Sequence, residues 1–256
     1  MMSDLRQSGT SGFRARALLA ALLLLMTIPV LMTAAGCSGS GGSSLAVPGA
    51  VITRATEGEF SEDAKVLAAR RAEGAWIPAD EARRLDNDLA RIRTRFEAVR
   101  GISAKPTFDL HGLLVRVTTG SPLRDAWRRG EIPTGDAALD TLLTEYGPTQ
   151  VEAQPLLALG EEEWYVLRFD QSLNMPKLAA LFAAAHPDVT GANANLTLGD
   201  GDDIQITDAT DGTRTYTFSR GWGDCQAGCI ERHYWEFAVP TSGEPSLSRE
   251  WGSELP

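Results

Sequence analysis

The stretch Glu163–Val189, "EWYVLRFDQSLNMPKLAALFAAAHPDV", places a strand, a helix and the start of another strand in direct succession. Its first part, Trp164–Phe169, is rich in the aromatic and β-branched residues that favour strands. Asn174 is typical of a helix N-cap, and Pro176 is typical of a first helical turn. Three apolar side chains are predicted to face inward from this helix: Leu178, Leu181 and Phe182.

Similar signals extend the pattern on both sides. The additional elements predicted are a strand over Thr107–Thr118, helices over Pro122–Arg129 and Asp136–Tyr146, and strands over Thr149–Leu159 and Val189–Leu198. With the short helix Pro122–Arg129 and the helix Asp136–Tyr146 counted as one helical connection, the order is strand, helix, strand, strand, helix, strand. Such an order predicts a four-stranded antiparallel sheet with helices on one face, and hence an α+β fold.

Residues 147–195 resemble the second half of a subtilisin-type protease propeptide, a fold shared with small subtilisin inhibitors. The matching residues are Tyr146-Gly147, Tyr165-Val166-Leu167 and Pro187-Asp188-Val189 with Ala192 and Asn195, whereas Ala194 departs from the family pattern. The resemblance implies a ferredoxin-like (propeptide-like) βαββαβ unit over residues 102–198. It also implies protease inhibition through a free C-terminal tail, but this chain continues for 61 residues beyond Asn195.

Residues 199–240 are predicted to form an antiparallel β-meander. Ile204 and Ile206 alternate with polar neighbours, as do Tyr216 and Phe218 in the next strand. In the last predicted strand, Ile230–Val239, the odd positions His233, Trp235, Phe237 and Val239 share one face. Residues 241–256 are predicted to be a loose tail, with Trp251 as a residue that could dock.

Residues 51–101 are predicted to be an N-terminal helical segment with two helices. The first runs over Ser61–Glu73, with Ser61 as its N-cap, and the second runs from Pro78 to just before Gly101. Five apolar residues form one stripe on the second helix: Leu85, Leu89, Ile92, Phe96 and Val99. The stripe suits a coiled-coil stalk or an amphipathic helix packed on its own domain, and the second interpretation is favoured because two heptads are few for a coil.

The first 36 residues have the order of an export signal: a leader with three arginines, the apolar run Ala17–Met32, and small residues. Ala34-Ala35-Gly36-Cys37 resembles the lipobox of bacterial lipoproteins, which implies cleavage before Cys37 and lipidation of that cysteine. The alternative is an uncleaved membrane anchor. Residues 37–50 then form the lipidated cysteine and a Gly/Ser tether. Ser38 resembles the residue that directs lipoproteins to an outer membrane, where the organism has one.

The charge of the chain limits its partners. Removal of Met1–Gly36, which carries three Arg and one Asp, changes the formal net charge from −10 to −12. Such a surface repels nucleic acid and anionic lipid headgroups, so the only membrane association expected is through the lipid anchor.

Cys225 and Cys229 are predicted to form a disulfide in an oxidising compartment. "CQAGC" suits a disulfide if Gly228 adopts a left-handed turn. Together with His233 the cysteines also form a Cys-x3-Cys-x3-His pattern, but a zinc site lacks a fourth ligand and thioredoxin-like chemistry needs two intervening residues.

The wider motif "GDCxxGCIxxxYWxF" resembles one in secreted bacterial proteins of unassigned activity. The aromatic residues around the cysteines are expected first of all to form a packed sheet face. Three of them are candidates for a binding surface for sugar or peptide if they are exposed: Trp222, Tyr234 and Trp235.

Catalytic and metal signals are weak. "GDGDD", Gly199–Asp203, suggests calcium but lacks the EF-hand spacing, so a solvated turn is favoured. His111, His186 and His233 lie in separate predicted elements, and no motif connects them. No metal or cofactor is predicted.

We therefore expect a lipid-anchored cell-envelope protein whose α+β domain is a non-catalytic binding or scaffold module for an extracytoplasmic protein or peptide. The alternatives are an inhibitor or folding chaperone of a subtilisin-like protease, and a hydrolase without a recognisable motif.

Overall fold

Two antiparallel sheets and the helices packed on them make up the described chain. The computed structural model describes residues 53–155 and 161–256. The predicted signal, Cys37 and the tether lie outside these ranges, as does the end of the strand predicted over Thr149–Leu159. Among the described residues, no helix is long and apolar enough to cross a membrane.

The element order agrees with the predicted α+β class, and the described residues contain five α-helices and eight strands. The helices are α1 (Glu62–Arg71), α2 (Ala79–Arg95), α3 (Pro122–Arg128), α4 (Ala137–Tyr146) and α5 (Met175–Ala185). The strands are β1 (Phe108–Thr118), β2 (Pro148–Ala153), β3 (Glu162–Phe169), β4 (Val189–Leu196), β5 (Asp203–Asp208), β6 (Arg214–Trp222), β7 (Glu231–Val239) and β8 (Ser246–Gly252).

The first sheet has the strand order β4-β1-β3-β2, with antiparallel neighbours throughout. Its central strand β1 alternates in burial, because successive side chains point to opposite faces of a sheet. Leu113, Val115 and Val117 are fully buried, and Val115 lies opposite Tyr165 of β3 and Ala192 of β4. Helix α5 packs on β1 and β4 and covers this apolar face.

Helix α5 departs from prediction at two side chains. Leu178 and Phe182, one turn apart, are fully buried, but Leu181 is 41% exposed. The inward face is therefore narrower than predicted, and Leu181 lies outside it. Asn174 occupies the N-cap position without a side-chain capping bond; its amide instead donates to the carbonyl oxygen of Ala72 at 3.0 Å.

The second sheet has the strand order β5-β6-β7-β8 and is a simple meander. Tyr216, Phe218, Trp235 and Phe237 are buried on its inner face, as the predicted alternation requires. The prediction of a loose tail over residues 241–256 is wrong, because β8 pairs antiparallel with β7 in this segment. The tail lacks a regular apolar alternation because β8 is a mostly exposed edge strand.

Helix α2 packs its apolar stripe on its own domain. Leu85, Leu89 and Ile92 are buried, and the Phe96 ring lies 4.6 Å from the Phe237 ring of the second sheet. This arrangement agrees with the amphipathic interpretation and leaves no apolar stripe for a coiled coil. The α-helix ends at Arg95, earlier than predicted, because Phe96 is extended and a single 3₁₀ turn follows at Glu97–Val99.

Candidate binding surface at the stapled tip

The two cysteines lie in the loop that joins β6 to β7. Their Sγ atoms are 2.22 Å apart, at disulfide distance, and their Cα atoms are 4.0 Å apart. Gly228 has a φ of +125°, which is the positive φ that the prediction required and that glycine adopts without steric cost. The bonded pair therefore closes a five-residue loop at one end of the second sheet.

The acidic stretch "GDGDD" lies directly against this disulfide loop. The backbone N–H of Asp200 donates to the carbonyl oxygen of Cys225 at 2.6 Å, and the Asp200 carboxylate accepts from the N–H of Cys229 at 3.0 Å. Arg232 of β7 adds an ion pair to Asp200 at 2.7 Å. We call residues 196–203 and 222–232 together the stapled tip, because the disulfide closes the loop of the second segment and the Asp200 contacts join the two segments.

The electrostatics of Asp200 follow from these contacts. The N–H of Cys229, the guanidinium of Arg232 and the N–H of Gly201 all stabilise the charged form and lower the pKa of the Asp200 carboxyl to about 2. Asp200 is therefore ionised at any physiological pH. It acts as the acceptor that organises the tip.

The other acidic side chains of "GDGDD" also bind protein donors. Asp202 accepts from the N–H of Gly221 at 3.0 Å, and Asp203 accepts from Arg70 at 2.8 Å and from the N–H of Lys105 at 2.9 Å. In the described ranges, no group of three or more His, Cys, Asp or Glu side chains is arranged to hold a metal ion. These contacts account for the acidic stretch as a structural link between the loops.

Large apolar side chains project from the stapled tip into solvent. Leu196 is 69% exposed, Leu198 95% and Ile230 73%. Leu181, Leu247 and Leu255, the other exposed large apolar residues of the described chain, are between 41% and 45% exposed. The most exposed aliphatic side chains therefore lie on segments that the Asp200 contacts hold together. The sequence signal for them was only that each adjoins a Gly-rich or Cys-containing loop.

The three aromatic residues predicted to line a surface do not share one. Trp235 is only 3% exposed and belongs to the core, so it is unsuited to a binding surface. Tyr234 points to the opposite face of the sheet and stacks on Trp251, with ring centroids 5.0 Å apart and planes within 7°. Trp222, half-buried, is the last residue of β6 and the first residue of the second segment of the tip. The aromatic pair on the open face is thus Tyr234 and Trp251.

The histidines remain apart, each satisfied locally. His111 contacts the carbonyl oxygen of Phe169 at 3.1 Å and the Ser172 hydroxyl at 3.3 Å. That hydroxyl is buried and donates to Glu57 at 2.6 Å, so it is neither accessible nor free to act as a nucleophile.

The remaining histidines have comparable local roles. His186 accepts from the N–H of Asp188 at 3.1 Å at the end of α5. His233 contacts the carbonyl oxygen of Ser253 at 2.7 Å and the Glu250 carboxylate at 3.0 Å. In the part of the chain that the structure describes, His233 and the two cysteines do not form a group arranged to hold a metal ion.

A cleft of about 470 Å³ lies between the end of α1 and the start of α2. Trp76 on its wall is already paired with the Arg54 guanidinium, 3.7 Å from the ring centroid, and with the Tyr146 ring at 5.2 Å. Glu81 in the same cleft is neutralised by three guanidinium groups, those of Arg71, Arg84 and Arg214. The Glu81 carboxylate is therefore occupied by side chains of the protein itself.

Comparisons of this chain with protein-family models, with curated proteins and with solved structures returned no match.

Proposed function

We propose that this chain is a lipid-anchored cell-envelope protein whose α+β domain is a non-catalytic binding or scaffold module for an extracytoplasmic protein or peptide. In this proposal Cys37 carries the lipid and the Gly/Ser tether holds the domain off the membrane. The stapled tip is the surface that meets the partner. The export-signal pattern, the lipobox resemblance and the paired cysteines support the location.

The exposure of Leu198 and Ile230 on the stapled tip carries the proposal. Large aliphatic side chains cost free energy when they face water, so clustered exposed ones commonly mark interaction sites. The disulfide and the Asp200 contacts hold the backbone beside these side chains. A surface that is already ordered loses less conformational entropy on binding than a mobile loop does.

We further infer that residues 102–198 form the ferredoxin-like βαββαβ unit implied by the propeptide resemblance. The strand order β4-β1-β3-β2 with antiparallel neighbours supports this assignment. Helix α5 also connects β3 to β4 across β1, as such a unit requires.

Site-specific photo-crosslinking tests the binding surface. A benzoylphenylalanine placed at position 198 or 230 of the full-length chain, irradiated in intact cells of the native host, is expected to give a discrete protein adduct. The matched control is the same residue at position 247, where Leu247 is also exposed but lies at the start of β8, at the opposite end of β7 from the disulfide loop. Equal adducts at all three positions, or none at the tip, would refute the proposed surface.

A second candidate function is inhibition or chaperoning of a subtilisin-like protease. The strand order of the first sheet supports it. The continuation of the chain opposes it: the N–H of Thr197 donates to the carbonyl oxygen of Thr107 at 3.3 Å, so the segment after β4 is tied down and is not a free tail. Titration of the full-length chain against a purified subtilisin-type protease distinguishes the two, because only an inhibitor lowers peptide hydrolysis at stoichiometric amounts.

A further inference from the structure

Negative charge exceeds positive charge around the exposed apolar side chains of the tip. Asp224 is exposed and accepts only from the N–H of Gln226 in its own loop, at 3.3 Å. Glu231 is exposed and accepts from the Ser253 hydroxyl. Within the described part of the chain, neither carboxylate takes part in an ion pair, and the same holds for Asp202. These three side chains bring unneutralised negative charge to the tip.

The basic side chains at the tip are mostly used internally. Arg232 donates to the carbonyl oxygen of Gly201 at 2.7 Å and pairs with Asp200. Lys105 donates to the carbonyl oxygen of Gly199. Arg220, next to the tip on β6, is exposed and offsets part of the negative charge. The surface that a partner meets therefore combines exposed aliphatic side chains with the carboxylates of Asp202, Asp224 and Glu231, which we call its acidic rim.

From this excess of negative charge at the tip we infer that the partner is a protein whose docking surface is an apolar pocket with a lysine- or arginine-rich rim. This inference rests on the proposed function. Complementary rim charges raise association rates and exclude wrong partners, whereas buried apolar contacts supply most of the affinity. A bilayer rich in anionic lipid is the other surface that accepts exposed Leu and Ile. The acidic rim repels it, as does the formal net charge of −12 that remains after removal of Met1–Gly36.

Neutralisation of the rim tests this inference. The full-length chain with the photoreactive residue at position 198 is compared, in the native host, with the same chain carrying Asp224→Asn and Glu231→Gln. The matched control carries Asp211→Asn and Glu244→Gln, which remove two exposed acidic groups from the loops at the far end of the second sheet. Circular dichroism of each variant shows whether it remains folded.

The expected result is a protein adduct whose yield falls about three- to tenfold on rim neutralisation and is unchanged in the control. Mass spectrometry is expected to place the crosslink in an apolar partner segment flanked by Lys or Arg. An unchanged yield in the folded rim variant would overturn the charge inference while the proposed function stands. Absence of any adduct at position 198 and at position 230 would overturn both. An adduct made of phospholipid, or of two copies of this chain, would overturn the inferred partner.

Discussion

The carboxylate of Asp200 accepts a hydrogen bond from the backbone N–H of Cys229 at 3.0 Å, across 29 residues of sequence. Asp200 follows the last strand of the first sheet, and Cys229 precedes β7 of the second. Together with the bond from the Asp200 N–H to the Cys225 carbonyl oxygen, this contact joins the acidic stretch to the disulfide loop. It turns two short motifs that look independent in the sequence into one surface.

Replacement of Asp200 by Asn is expected to reduce the free energy of unfolding by about 1 kcal/mol at neutral pH, because the ion pair with Arg232 and the charge-assisted bond to Cys229 are lost. The folded-state pKa of Asp200, about 2, lies below its ordinary value of 3.8. Its contribution is thus complete above about pH 4 and is lost as the pH falls from there to about 2. Urea unfolding of both proteins measures the difference, which should shrink towards pH 2.

Asp224→Asn is the control for this prediction, because Asp224 accepts only within its own loop. Its effect on stability should stay within about 0.5 kcal/mol. An Asp200→Asn loss of the same size at neutral pH and near pH 2 would show that the carboxylate charge is not responsible.

Removal of the disulfide in the double variant Cys225→Ser/Cys229→Ser is expected to reduce the free energy of unfolding by about 2 kcal/mol, from the chain entropy of a five-residue loop. The disulfide positions the Cys229 N–H that donates to Asp200. Removal of the disulfide combined with Asp200→Asn should therefore cost less than the sum of the two separate losses. Denaturant unfolding of the three variants and the parent completes the cycle. Strict additivity would mean that the two contacts act independently.

Tyr216→Phe is expected to reduce the free energy of unfolding by about 2 kcal/mol. Tyr216 is fully buried in the second sheet and its hydroxyl donates to the Asp88 carboxylate of α2 at 2.8 Å. Burial and the Asp88 charge both raise the pKa of this hydroxyl, so it remains a donor. Tyr234→Phe, on the open face, is the matched control and should change stability by less than about 0.5 kcal/mol. Equal effects of the two substitutions would contradict the assigned bond.

Leu89→Ala is expected to reduce the free energy of unfolding by about 3 kcal/mol, because it empties space in the core under α2. The loss should not depend on protein concentration, since α2 packs on its own chain. Asn87→Ala, on the exposed side of the same helix, serves as the control. If the melting temperature of the parent depended on protein concentration and Leu89→Ala abolished that dependence, the result would instead indicate a coiled-coil interface.

Leu198→Ser combined with Ile230→Ser is expected to change the free energy of unfolding by less than about 0.5 kcal/mol, because both side chains already face solvent. With benzoylphenylalanine at position 196 of the tip, the parent chain is expected to form a protein adduct that the double variant loses. Thermal melts and photo-crosslinking of one preparation give both readouts. A loss of stability above 2 kcal/mol would show that these residues pack in the protein.

Local signals predicted most element positions, because the interactions behind them lie within a few residues. Ser61 caps α1 by accepting from the N–H of Ala64 at 3.3 Å, as expected of a serine before acidic residues. Asp136 caps α4 in the same way at 2.8 Å, and Gly147 ends that helix with a φ of +58°. The alternation of Tyr216 with Phe218 and of Trp235 with Phe237 likewise predicted the inner face of the second sheet.

Tertiary contacts decided what the candidate surface contains. Pairing with β7 makes a strand of the predicted tail, and the fold buries Trp235 while it leaves Leu198 and Ile230 in water. The role of Asp200 depends on a donor 29 residues away. Caps and alternation are encoded by neighbours in the chain, whereas exposure and long-range hydrogen bonds arise only when distant segments meet.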